Sequence, residues 1–291
     1  TVPILKGHFS AFSKSVNAND FRGIAISPVI SKVFEHCIVD RYYMFLITTD
    51  NQFGFKKSVG CSHAVFTLRN VVNYYVSCNS TVNICALDLS KAFDKMNHYG
   101  LFIKLMDRQI PVQLLQLLEF WFRSGLTCVR WGDCFSSFYS QTCGIRQGGV
   151  LSPYLFALYI DGVIEKVRRS RVGCEIKLES IGIIVYADDI LLVAPTVTAL
   201  QLLLSMCEHE LNWLAMSINA SKSACLRIGK DYKTVPVCIR TVDGREIPWQ
   251  TTLRYLGMHL VANNVFTCSF DEAKKSYYRA FNAIYSKIGG I

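Results

Sequence analysis

Residues 182–195, GIIVYADDILLVAP, set two adjacent aspartates, Asp188 and Asp189, between two of the most apolar stretches in the chain. Two ionised carboxylates at the tip of a buried hairpin repel each other and lose solvation, and an isolated desolvated charge is costly enough to take up a proton instead. Two readings follow. In one, Asp-Asp is a two-residue turn pointing into water, a place where aspartate is common. Such turns favour glycine where φ is positive, and ADDI supplies none. In the other, the carboxylates hold a divalent cation, since Mg²⁺ is usually bound by one or two carboxylates together with substrate phosphates.

Working outward, a second strand-ending carboxylate supports the cation. Asn83 to Leu87 (NICAL) is an apolar run fit for a buried strand, and Asp88 follows it directly. A two-metal phosphoryl-transfer site needs carboxylates from separate strands, converging so that ions about 3.5–4 Å apart clamp the attacking and leaving oxygens. Asp88 with Asp188 meets that need. Ser90 reads as the N-cap of one helix over AFDKMNHYGLFIKLM. On that helix Asp94, six residues beyond Asp88, is rotated by about 600° and faces away as a packing or surface residue.

Other elements alternate along the chain. Pro111 opens a helix (VQLLQLLEFWF) that Gly125 closes, and Val129 to Tyr139 reads as a hairpin about Gly132-Asp133. A glycine-rich turn, CGIRQGGVLSP, leads into the amphipathic helix YLFALYIDGVIEKV; Gly148-Gly149 there signals close backbone approach to a ligand. Ala199 to Met216 reads as a helix, Ala224 to Ile228 as a strand, and Leu253 to Leu260 as another strand. The mixture implies an α+β architecture with helices backing a mostly antiparallel sheet.

Composition sets limits. With 291 residues and 51% hydrophobic content the chain can bury a sizeable core. The 31 Lys and Arg against 22 Asp and Glu leave a net charge of +9, which makes a polyanionic partner plausible. The 12 cysteines form no C-x-x-C pair, so the reading is of reduced thiols in an intracellular protein, without zinc. Ile190 to Cys207 lacks charge, but Pro195, Thr196, Thr198, Gln201 and Ser205 interrupt it, and strand, turn and helix explain it better than a membrane span. The first residue is Thr1, which reads as a piece of something longer.

The order of blocks resembles the reverse transcriptase domain of non-LTR (LINE-type) retrotransposons. VPILKG, FRGIAISPVISKVFEHCIVDRY and NQFGFKKSVGCSHAV are similar to its fingers motifs. NICALDLSKAFD, GIRQGGVLSPYLF, YADD, LNWLAMSINASKSACLRIG and TLRYLGMHL are similar to palm motifs A to E. The resemblance implies a right-hand polymerase fold: fingers over 1–82, palm over 83–110, a fingers/palm connection over 111–140, palm again over 141–260 and the start of a thumb over 261–291.

It also implies roles. Asp88 and Asp188, with the backbone carbonyl of Leu89, would hold two Mg²⁺ ions, Mn²⁺ being a substitute, and Asp189 would be a peripheral acidic partner. Lys6 and Arg22 would grip the triphosphate. Gln147 and Gly148 would meet the incoming nucleotide, and Phe93 would bound its sugar, although a phenylalanine in this helical pattern is also ordinary core. Gly149 stands where the family usually has serine or another small residue. Lys222 would protonate the leaving pyrophosphate, and Leu256-Gly257 would support the primer. The implied partners are an RNA template, a DNA primer and deoxynucleoside triphosphates, without a membrane, in a ribonucleoprotein of nucleus and cytoplasm. The full-length family adds an endonuclease and a complete thumb. Two other readings stay open: a domesticated or decayed domain that binds nucleic acid without polymerising, and another palm-fold enzyme such as an RNA-dependent RNA polymerase or a nucleotide cyclase.

Overall fold

A four-stranded antiparallel sheet forms the centre of the fold, in the order Ile183–Tyr186, Asp189–Ala194, Thr81–Leu87 and Ala224–Gly229. The computed structural model describes residues 1–5, 17–234 and 236–288. Side chains alternate across each strand, and here both faces are covered. Cys85, Leu87, Val185, Ile190 and Leu192 pack with Phe156 and Tyr159 of the helix Ser152–Ser170 and Leu200, Leu203 and Leu204 of the helix Val197–Trp213. Val82, Ile84, Ile184, Leu191 and Val193 pack with Ala64, Leu68, Val71 and Val72 of the helix Cys61–Ser77 and with Leu253, Tyr255 and Leu260. This double burial is why ILLVA runs apolar without alternating. Each such Ile or Leu contributes roughly 1.5–3 kcal/mol.

Several polar residues in the core are paired. Asp161, 3% exposed on the helix Ser152–Ser170, accepts from the Thr49 amide at 3.0 Å and hydroxyl at 2.8 Å and forms an ion pair with Arg108. Among the described residues no helix is long and apolar enough to cross a membrane.

Several expectations are corrected. The run after Ser90 is two helices, Ala92–Lys95 and His98–Asp107. Lys91 takes a left-handed φ of 50° before the first, and the Asn97 side chain accepts from the Gly100 amide at 3.2 Å to cap the second. Asparagine bonds its local backbone well enough to end one helix and start another. The segment Leu253 to Leu260 is a hairpin, Thr252–Tyr255 with Met258–Val261, because Leu256 and Gly257 take φ of 46° and 81°, as a two-residue turn between twisted strands requires. The hairpin about Gly132-Asp133 forms as read, pairing Arg130 with Phe135 and Trp131 with Cys134. Towards the end of the chain, a strand Thr267–Ser269 precedes the helix Asp271–Ile288, which buries no residue.

Candidate active site

The Tyr186–Asp189 pair closes the central hairpin around Ala187-Asp188. Alanine, with φ of 60°, takes the left-handed position that the sequence reading reserved for glycine. On the neighbouring strand Leu87 pairs with Ile190, so one step further the register sets Asp88 level with Asp189 and beside Asp188. The two apolar strands therefore end with their carboxylates at the same edge.

Asp88 is fixed by its backbone. Its amide donates to Ser223 Oγ at 3.1 Å and its carbonyl accepts from the Asn219 amide at 2.8 Å. The Ser90 amide donates to the Ser217 carbonyl at 2.9 Å. Leu89 and Ile218 thus form a non-hydrogen-bonded antiparallel pair, in which the Leu89 carbonyl points away from Ile218. That leaves it available to a ligand.

A cleft of about 590 Å³ opens over this edge. Of the residues singled out in the sequence, Arg22, Asp88, Leu89, Phe93, Gln147, Gly148, Asp188 and Lys222 line it. Asp189, Leu256 and Gly257 do not; the last two form the tip of their hairpin. Lys6 lies outside the described residues. Phe93 lines the cleft and also packs in the core, stacking on Phe156 with centroids 4.3 Å apart and edge-on to Phe55.

The facing of Asp94 is a correction, while its reading as a packing hydrogen-bond partner agrees with the structure. Asp94 lines the cleft, and its Oδ1 accepts from Gln147 Nε2 at 3.3 Å. The left-handed turn at Lys91 interrupts the helix on which the 600° rotation depended. Gly148 lines the cleft and also packs on the protein itself. At φ of 112° its Cβ position lies 2.6 Å from the Ala25 carbonyl oxygen, so the close approach is to the protein's own backbone, where the Ala25 amide donates to the Gln147 carbonyl at 2.7 Å. The reading also missed Arg146, Asn219 and Ser223; the first two line the cleft, and an ordinary loop sequence gives no local signal for any of them.

The electrostatics oppose ionisation of the two hairpin aspartates. Desolvation pushes the Asp188 carboxyl up, with Asp88 adding to the rise and Arg22 opposing it. Asp189, though exposed at the surface, lies near enough to buried Tyr255 for its charge to be felt there, and desolvation, then Asp188 and Asp88, push it up to about 6. Two carboxylates and a free carbonyl make a hard oxygen set suited to a divalent cation, which would relieve this repulsion. Among the described residues no group of three or more His, Cys, Asp or Glu is placed to hold a metal ion.

An antiparallel sheet with carboxylates at its edge, helices behind and a cleft in front defines the right-hand polymerase fold. Residues 11–260 match the reverse transcriptase (RNA-dependent DNA polymerase) family, and the chain belongs to it. It is 26% identical over 267 residues to the retrovirus-related Pol polyprotein from type-2 retrotransposable element R2DM of Drosophila melanogaster, covering 86% of this chain and 24% of that protein. It is 25% identical over 259 residues to the RNA-directed DNA polymerase from mobile element jockey of Drosophila funebris, covering 84% of this chain and 27% of that protein. The LINE-type resemblance is thereby borne out, and the chain spans about a quarter of the length of these relatives. Among solved structures it is similar in fold to telomerase from Candida tropicalis in complex with a TWJ fragment of telomeric RNA. There the TM-score is 0.54 at 10% identity, over 84% of this chain and 37% of that one.

Proposed function

We propose that the chain is the catalytic core of an RNA-directed DNA polymerase, adding deoxynucleotides to a primer on an RNA template. The observation that carries this reading is the meeting of Asp88 and Asp188 at one strand edge, facing Arg22, Gln147 and Lys222 across a single cleft. On this reading 1–82 act as fingers, 83–110 and 141–260 as palm, 111–140 as their connection and 261–291 as the start of a thumb. The full-length protein would work in a ribonucleoprotein of nucleus and cytoplasm.

Two Mg²⁺ ions, or Mn²⁺ in their place, would be held by Asp88, Asp188 and the Leu89 carbonyl, and would acidify the primer 3′-hydroxyl and offset triphosphate charge. The chain's own residues do the rest. Arg22 binds the triphosphate as a fixed cation. Lys222, exposed at the rim, carries a proton for the departing pyrophosphate. Gln147, held by Asp94, meets the nucleotide, and Phe93 limits room at the sugar. Asp189 tunes the charge beneath Asp188 without entering the cleft, and Leu256-Gly257 supports the primer from the neighbouring hairpin.

The test is extension of a DNA primer on an RNA template with Mg²⁺, run beside Asp188→Asn. The parent is expected to extend and the variant to lose at least about two orders of magnitude in rate, since the amide keeps the shape and removes the charge. Equal rates would refute the assignment.

A further inference from the structure

The turn that carries Asp188 is held from outside the sheet. Residues 51–54, Asn-Gln-Phe-Gly, run parallel to the edge strand Ile183–Tyr186, with the Val185 amide donating to the Asn51 carbonyl at 2.8 Å and the Phe53 amide to the Val185 carbonyl at 2.8 Å. Asn51 Nδ2 donates to the carbonyls of Ser180 at 3.2 Å and Ile183 at 2.8 Å. This brings Gln52, 0% exposed, against the turn. Its Oε1 accepts from the Gly54 amide at 2.9 Å and the Ala187 amide at 3.2 Å.

Ala187 holds the left-handed φ of 60° immediately before Asp188, a conformation that L residues avoid unless their surroundings impose it. Gly54 is required beside it, because a Cβ there would lie 2.4 Å from the Ala187 nitrogen. The two amide donors settle which end of the Gln52 side chain is oxygen. Its Nε2 is buried with no partner among the described residues. Packing alone does not account for a side chain that buries an orphaned donor, since methionine would fill the same space without one. What glutamine adds is the acceptor.

We propose that Gln52 is a positioning residue for the catalytic turn: its carbonyl fixes the Ala187 amide and so aims Asp188 into the cleft. The inference rests on the polymerase reading for its effect on rate, and on the hydrogen bonds alone for its effect on the turn. Three proteins test it: the parent, Gln52→Met, which keeps the volume and removes the acceptor, and Gln52→Glu, whose buried and therefore neutral acid keeps a carbonyl.

Two measurements are made on each: amide hydrogen exchange of the peptide spanning Ala187, and primer-extension kinetics with Mg²⁺. Gln52→Met should exchange at least about tenfold faster at the turn while the strand Thr81–Leu87 stays protected. Its kcat should fall roughly 10- to 100-fold, as for residues that orient a metal ligand, with the KM for nucleotide and the Kd for template-primer within about twofold of the parent. Gln52→Glu should restore most of both. A folded Gln52→Met with parental exchange at the turn overturns the proposal, as does a lowered Tm with kcat unchanged at a permissive temperature. A parent that fails to extend any primer refutes the polymerase reading instead, and the exchange data then decide the clamp by themselves.

Discussion

Asp188 and Asp189 are neighbours in sequence and strangers in environment. Asp188 lies in the turn and lines the cleft near Arg22, whereas Asp189 begins the strand, outside the cleft lining and near Tyr255. Both are pushed up, Asp189 to about 6. A carboxyl raised in the folded state stabilises the fold below its unfolded value of 3.8, and that contribution is lost as pH rises through about 6. A divalent cation that offsets the repulsion should therefore raise Tm more at neutral pH than at pH about 5, where Asp189 is largely protonated and adds little charge. Thermal unfolding with and without Mg²⁺ at the two pH values checks this, and equal gains would contradict it. Phe93 gives a second residue-scale prediction. Phe93→Val should admit ribonucleotides at least about tenfold better relative to deoxynucleotides, about 1.4 kcal/mol of differential transition-state binding. Losing the stacked ring should also lower stability by roughly 1–3 kcal/mol. Matched kcat/KM values for a dNTP and an rNTP decide it; an unchanged ratio in a folded variant removes the gate.

At the scale of elements, the loop before the helix Ser152–Ser170 joins two parts of the cleft. Gly148 seats against Ala25, directly after the strand Phe21–Ile24 that carries Arg22. Gly148→Ala combines a strained φ with a clash against backbone that no side-chain rotation relieves, so at least about 2 kcal/mol of stability should be lost, together with nucleotide affinity. Gly60→Ala is the control, because an added Cβ there meets nothing within 4 Å and its φ is ordinary; it should change stability by less than about 1 kcal/mol. Denaturant unfolding of the two variants makes the comparison, and a Gly148→Ala protein as stable as the control would show that the joint yields.

For the whole molecule, a net charge of +9 and a cleft edged by Arg22, Arg146 and Lys222 favour a polyanion held by its backbone. Affinity for an RNA–DNA template-primer should fall steeply as salt rises and vary little with sequence, since phosphate contacts release counterions. Binding isotherms over a salt series test this; a flat response would place the contact surface elsewhere.

The chemistry of the strand ends and the architecture around them are legible in the local residue pattern. Short, uncharged apolar runs such as NICAL and ILLVA read as buried strands, and a carboxylate at the end of each is a local fact that a pattern displays. The order of the blocks settled the family for the same reason. Which loops meet is set by the packed fold. Gln52 reaches Ala187, and Ser223 reaches Asp88, each across 135 residues, and nothing near either residue announces its partner. The same holds for Asp94, which the periodicity turned away from the cleft and the left-handed Lys91 turned back. Hydrophobic period reports which face of an element is buried, whereas the partners of a polar side chain are set by how distant elements dock, and that docking is a property of the whole packed core.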